Sequence, residues 1–150
     1  MTSPAPPSKD YNHRAFIAVA ESYGKAAHVV AAGPRLPHPA PVGMLACHSM
    51  ELALKAVLLA NGAGEEDLKR HGHRLPELLD ASGLDWSDLD RELVDFCADA
   101  MKEHAFRYID MNRYFRLGEG AAVLELCDQI FHACLQVVMP GARRSLVSGS

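Results

Sequence analysis

The segment that most constrains the fold is CHSMELALKAVLLANG, residues 47–62, which has a helical period and is apolar around most of its circumference. Other apolar surfaces must cover such a helix, so it is either the central helix of a bundle or part of a dimer interface. Its polar side chains form one line, His48, Glu51 and Lys55, at three- and four-residue steps. The chain must therefore fold around this helix and leave that line as its only polar edge.

The same helical period recurs along the rest of the chain, and no segment alternates as a strand does. We predict long helices over about 10–32, 41–61, 85–104 and 120–138 and a short helix over about 74–83, with a polar connector over 63–73. The helix that begins near Asp85 is expected to extend toward 116. These elements predict one all-α domain over 1–150, an antiparallel up-and-down helical bundle of four long helices plus one short helix, with flexible tails at 1–9 and 142–150.

Composition excludes several classes of protein. A hydrophobic content of 49% is that of a globular chain, and a net charge of −4 argues against binding nucleic acid by charge alone. The opening MTSPAPPSKD lacks the apolar core of a secretory signal, and no uncharged apolar run has the length of a membrane span. The four cysteines form no C-x-x-C pair and are expected to be buried thiols. We therefore expect a cytoplasmic protein without a membrane partner.

The polar line on the second helix has two interpretations. Glu51 precedes Lys55 by four residues, the favourable order for a helical ion pair, which contributes about 0.2–0.5 kcal/mol when exposed. The line could then serve solubility alone. It could instead form the edge of a polar pocket or groove.

This helix and the segments after it resemble the HEPN superfamily of small helical domains. Many members carry a Glu with Lys four residues on, a small-residue stop, and a His-x-Leu-x-x-Leu-Leu segment that opens a short helix. The matching residues here are Glu51, Lys55, Asn61, Gly62, His73, Leu75, Leu78 and Leu79, and the signature covers about 44–83. The resemblance implies a bundle of four to five helices, often a homodimer. It also implies RNA-directed defence or toxin–antitoxin pairing, often beside a nucleotidyltransferase, although some members have no assigned activity.

Members of this family that cut RNA resemble one another in an Arg separated by four to six residues from a His near the start of the last long helix. There the histidine serves as acid or base and the arginine holds the phosphate. No arginine of this chain is followed by a histidine at that spacing. The protein is therefore not expected to be a typical nuclease of the family.

A second candidate segment is HAFRYIDMNRYFR, residues 104–116, which interleaves arginines with aromatic residues. Guanidinium groups and aromatic faces suit single-stranded nucleic acid or a nucleotide base. The aromatic residues could equally pack in the bundle while the arginines balance the acidic segment 65–103, which has twelve acidic and five basic residues. From this segment we take His104, Arg107, Tyr108 and Arg113 as candidate binding residues.

The resulting prediction is a non-catalytic, HEPN-like binding or interaction subunit whose ligand is a nucleotide, an RNA or a partner protein. The candidate binding residues are His48, Glu51, Lys55, His73, His104, Arg107, Tyr108 and Arg113. We predict no cofactor and no metal, because His71 and His73 fall short of a zinc ligand set and no phosphate-cradling glycine loop is present.

The alternative is a divergent HEPN ribonuclease or nucleotide-processing enzyme of toxin–antitoxin or defence type. In that case His48, His73 or His104 would act with Arg107 or Arg113. A third alternative is an architectural partner that neutralises another protein. We also expect a homodimer formed by the second and last helices, and a nucleotidyltransferase or another protein as a further partner.

Overall fold

The computed structural model describes residues 9–37, 40–102 and 120–147. Within these ranges the chain is all-helical and contains no strand. The helices are α1 (Lys9–Ala32), α2 (Ala40–Ala60), α3 (Glu65–His71), α4 (Leu75–Ser82), α5 (Arg91–Lys102) and α6 (Gly120–Val138). The predicted helical bundle is confirmed at this level.

Helix α2 is the central helix of the described fold. It packs against α1, α4, α5 and α6, and 14 of its 21 residues are buried. The largest of these buried side chains, including Met50 and Leu54, join one core with residues of α4 and α6 such as Leu78 and Phe131. The structure therefore places this apolar helix at the centre of the bundle, and of its large apolar side chains Met44 stays 42% exposed.

Helix α3 lies inside the segment that the sequence predicted to be a connector. It has a single buried residue, Leu68, and therefore lacks the apolar stripe that marks an amphipathic helix. Its ends supply the stabilisation instead: acidic residues fill its first turn and basic residues its last, which matches the helix dipole. At its start the carboxylate of Asp67 accepts a hydrogen bond of 2.9 Å from the backbone N–H of Gly64.

Helix α4 attaches the polar region to the core. Pro76 lies in its first turn, and Gly83 ends it with a left-handed backbone (φ 73°). Its leucines, Leu75, Leu78 and Leu79, are buried against the central helix. The docking of α4 brings the loop before it, residues 72–74, close to the central helix.

The segment after α6 packs on the bundle, in contrast to the flexible tail predicted from residue 142. Leu146 is fully buried in the core, and Arg144 lies 3.3 Å from the carboxylate of Glu21 on α1. Gly24 makes this possible, because a Cβ there would lie 2.7 Å from a methyl carbon of Leu146. A contact made by one leucine in a short loop leaves no periodic pattern from which it could be predicted.

Two helices, α2 and α6, are long and apolar enough to cross a membrane by length and composition alone. Both also contribute to the described core, and core helices pass the same test, so this is only a weak indication of a membrane.

Candidate functional site

Glu51 is the centre of a polar cluster that lies on the otherwise apolar α2. Its side chain is 2% exposed. The Nζ of Lys55, one turn later, donates a hydrogen bond of 2.8 Å to its Oε1, and the lysine itself is only 13% exposed. The predicted helical ion pair is therefore present, but it lies in the protein interior, where an unpaired charge is costly.

His73 completes the cluster from a distant part of the chain. It lies between α3 and α4, directly after Gly72, whose φ of 58° turns the backbone. The imidazole Nδ1 lies 2.6 Å from Oε1 of Glu51, so it donates a hydrogen bond to that carboxylate oxygen. Because the His73 side chain is 75% exposed, its Nε2 edge is open to solvent. The carboxylate thus orients a surface imidazole.

The second oxygen of Glu51 is less well satisfied. Both Lys55 and His73 bind Oε1, whereas Oε2 is buried without a hydrogen-bond partner among the residues that the structure describes. The nearest cationic candidate is Nδ1 of His48 at 3.9 Å, which is too long for a hydrogen bond. His48 instead packs edge-on against Tyr23 of α1, with ring centroids 4.5 Å apart.

Buried thiols lie beneath this cluster. The pKa of Cys47 is raised, chiefly by a hydrogen bond with Cys97 and next by burial. The nearby carboxylate of Glu51 also raises this pKa. Burial raises the pKa of Cys127 to about 12. The hydroxyl of Ser49, also on α2, donates a 2.6 Å hydrogen bond to the carbonyl of Ala20 and so ties α1 to the central helix. The raised pKa keeps the thiols of Cys47 and Cys127 protonated and unreactive at neutral pH.

Of the eight residues predicted to bind a ligand, the structure brings together His48, Glu51, Lys55 and His73. The other four, His104, Arg107, Tyr108 and Arg113, lie outside the described residues. No group of three or more His, Cys, Asp and Glu side chains in the described ranges could hold a metal ion. The described cluster can hold a carboxylate charge inside the protein and present hydrogen-bond donors at the surface.

Comparison of the chain with models of protein families, with curated proteins and with solved structures found no match.

Sequence analysis did not identify a second polar region, a groove lined by Lys25, His132, Arg143 and Arg144. The signal that could have indicated it is the Arg143-Arg144 pair, which comes one residue after the Pro140-Gly141 stop of the last helix. The pair lies within residues 142–150, which the sequence predicts to be a flexible tail. The arginine pair lines the groove because the buried side chain of Leu146 holds this segment against α1.

Proposed function

We propose that this protein is a non-catalytic binding subunit of the HEPN type, a cytoplasmic helical bundle whose ligand is a nucleotide, an RNA or a partner protein. The observation that supports this is the state of Glu51. Its carboxylate is 2% exposed and already accepts hydrogen bonds from Lys55 and His73. A carboxylate that is buried and already hydrogen-bonded orients its partner groups, but a substrate cannot reach it to transfer a proton.

The surface over Glu51 suits the binding of an anionic group. His73 is exposed, His48 is 40% exposed, and the ammonium of Lys55 lies just below them. All three side chains can donate hydrogen bonds. A phosphate of RNA or of a nucleotide, or a carboxylate of a partner protein, would find donors here that are fixed by the fold.

A second candidate function, a divergent ribonuclease or nucleotide-processing enzyme, is favoured by one feature of the same site. A carboxylate that binds Nδ1 of an exposed histidine is an arrangement that orients an imidazole for acid–base chemistry. An enzyme of this kind also needs a second acid, base or phosphate-binding group facing Nε2. The candidate arginines for that role, Arg107 and Arg113, lie outside the described residues.

RNA binding and RNA cleavage, measured on the same samples, separate the two functions. End-labelled single-stranded RNA and transfer RNA are incubated with the protein and with the variants His73→Ala and His48→Ala. His71→Ala is the matched control, because His71 ends α3 two residues before His73 and its side chain has no hydrogen bond to Glu51. The proposal expects intact RNA throughout and a gel shift that His73→Ala weakens but His71→Ala does not.

Cleavage that disappears in His73→Ala would instead establish the enzyme. Intact RNA with no gel shift would leave a nucleotide or a partner protein as the ligand, and co-purification of the tagged chain with and without His73→Ala then tests for the partner protein.

The homodimer also remains part of the proposal, with α2 and α6 as the interface predicted from the sequence. Since 14 of the 21 residues of α2 are buried within one subunit, we add the outward face of α1 as a further candidate. This face carries Val19 and Val29, which are 44% and 56% exposed, with Ala26 between them. The three residues are spaced as in a heptad repeat, and none of them is charged. Light scattering is expected to give twice 16.3 kDa, and Val29→Glu to reduce it. A mass of one chain at all micromolar concentrations would exclude the dimer.

A further inference from the structure

An open groove of about 690 Å³ lies between α1, α6 and the segment 142–145 that follows α6. None of the residues of the Glu51 cluster lines it. Its charged and titratable side chains are Glu21 and Lys25 from α1, His132 from α6, and Arg143 and Arg144 from the segment after α6. The groove is therefore separate from the site described above and its function can be considered independently.

The wall formed by residues 142–145 is held by specific contacts at both ends. At the start, the side-chain amide of Gln136 accepts a hydrogen bond of 3.1 Å from the N–H of Gly141 and donates one of 2.8 Å to the carbonyl of Ala142. Gly141 has a φ of 81°, a left-handed conformation that glycine adopts without strain. At the end, the buried side chain of Leu146 lies against Gly24. The arginines between these two anchors are thus held over α1 and α6.

The charges in this groove do not balance. Among the described residues, Glu21 is the only acid in the lining, and it lies 3.6 Å from Lys25 and 3.3 Å from Arg144. In the described part of the chain Arg143 has no ion pair, and it is exposed, as is His132. Three permanent cations against one carboxylate give this groove a charge of about +2 in a chain whose net charge is −4.

We propose that this groove binds the phosphate of a small, nucleotide-sized phosphate ester. Arg143 and Arg144 offer planar guanidinium groups that match phosphate oxygens, Lys25 adds a point charge, and the imidazole of His132 adds a hydrogen bond donor and a flat face. A volume of about 690 Å³ is far more than a phosphate ion alone fills and lies within the range of small-ligand sites, about 300–1,000 Å³. The proposal does not depend on the function assigned to the Glu51 cluster.

The test is calorimetric titration of the full chain with three probes: AMP, inorganic phosphate and a ten-nucleotide oligouridylate. The expected result is binding of AMP that is tighter than that of phosphate and that weakens as salt is raised. Arg143→Ala should weaken AMP binding by about tenfold or more, because it removes a charge-assisted contact.

Arg70→Ala is the matched control. It also removes an exposed arginine, but one that pairs with Asp67 on α3, away from the groove. It should change the affinity for AMP by less than about twofold, since a distant surface charge is screened. The circular dichroism spectra and melting curves of both variants should match those of the parent, because neither side chain is part of the core.

Three results would overturn the proposal. AMP could fail to bind at millimolar concentration, or it could bind equally well to Arg143→Ala and to the parent chain. It could also bind no more tightly than inorganic phosphate, which would exclude a nucleotide-sized ligand. Binding of the oligouridylate without AMP would assign the arginines to an RNA surface and would likewise contradict a site for a small phosphate ester.

Discussion

Replacing Glu51 by Gln tests whether the polar cluster holds the fold together. The substitution keeps the size of the side chain and one acceptor oxygen, but removes the negative charge beside Lys55, which is only 13% exposed. Lys55 and His73 would then donate to a neutral oxygen. The ammonium of Lys55 would remain largely inside the protein without a counter-charge. An uncompensated buried charge is the reason why removing one partner of a buried ion pair destabilises a fold.

The magnitude follows from the two contacts. A hydrogen bond to a charged group contributes about 1.5–3 kcal/mol and a neutral one about 0.5–1.5 kcal/mol, so the contact with Lys55 loses about 1–1.5 kcal/mol. His73 is 75% exposed, so its pairing counts as a surface ion pair of about 0–1 kcal/mol. The sum predicts a loss of about 2 kcal/mol in the free energy of unfolding. For a chain of 150 residues, this corresponds to a fall in Tm of about 4–8 °C.

Urea unfolding gives the measurement. Trp86 is the only tryptophan and is buried, with its indole N–H bonded to Ser82 and to the carbonyl of Leu79, so its fluorescence reports loss of the core. Glu77→Gln is the matched control, because Glu77 also pairs with a basic residue, Arg74, but at the surface. It should cost less than about 0.5 kcal/mol. If Glu51→Gln cost no more than this control, the cluster would have no structural role.

Two further predictions concern the packing of the core. Gly24→Ala should destabilise the protein by about 1–3 kcal/mol in the same urea assay, because the added Cβ would lie 2.7 Å from Leu146, whereas Gly120→Ala, with nothing within 4 Å, should not. Stability should also fall as the pH rises from about 9 toward 12, since burial raises the pKa of Cys127 to about 12 and the folded thiol keeps a proton that the unfolded thiol releases. Cys127→Ala should reduce that slope, and an unchanged slope would contradict the assignment.

How far the sequence predicts this fold differs between its helices. The apolar circumference of α2 showed that it must be covered on most sides, but not by what, because that depends on how distant helices dock. The long helices α1 and α6 followed from their apolar period. Helix α3 did not, because it buries only Leu68 and is stabilised by its terminal charges and cap. The burial of Leu146 also escaped prediction, since one apolar residue in a loop has no period.

The candidate site shows the same division between local and distant contacts. The pairing of Glu51 with Lys55 could be predicted, because residues four apart on a helix are neighbours. His73 could be selected as a candidate because it matches the HEPN-like segment of the sequence. Its contact with Glu51 spans 22 residues, however, and depends on how α3 and the docked leucines of α4 bring the loop back to α2. That Glu51 is 2% exposed is likewise a property of the assembled bundle.

These observations explain why a polar line runs along so apolar a helix. A buried ion pair is a poor source of net stability, since apolar residues of similar size often serve as well or better. What Glu51 does provide is a single position for the loop before α4, because only a loop that brings His73 within 2.6 Å gives the carboxylate its second donor. The double variant Glu51→Leu with Lys55→Met separates the two roles. It should lose less stability than Glu51→Gln, because no unpaired charge remains, yet it should weaken any ligand binding that depends on His73. Binding equal to that of the parent chain would show that docking of α4 alone is enough to position the imidazole.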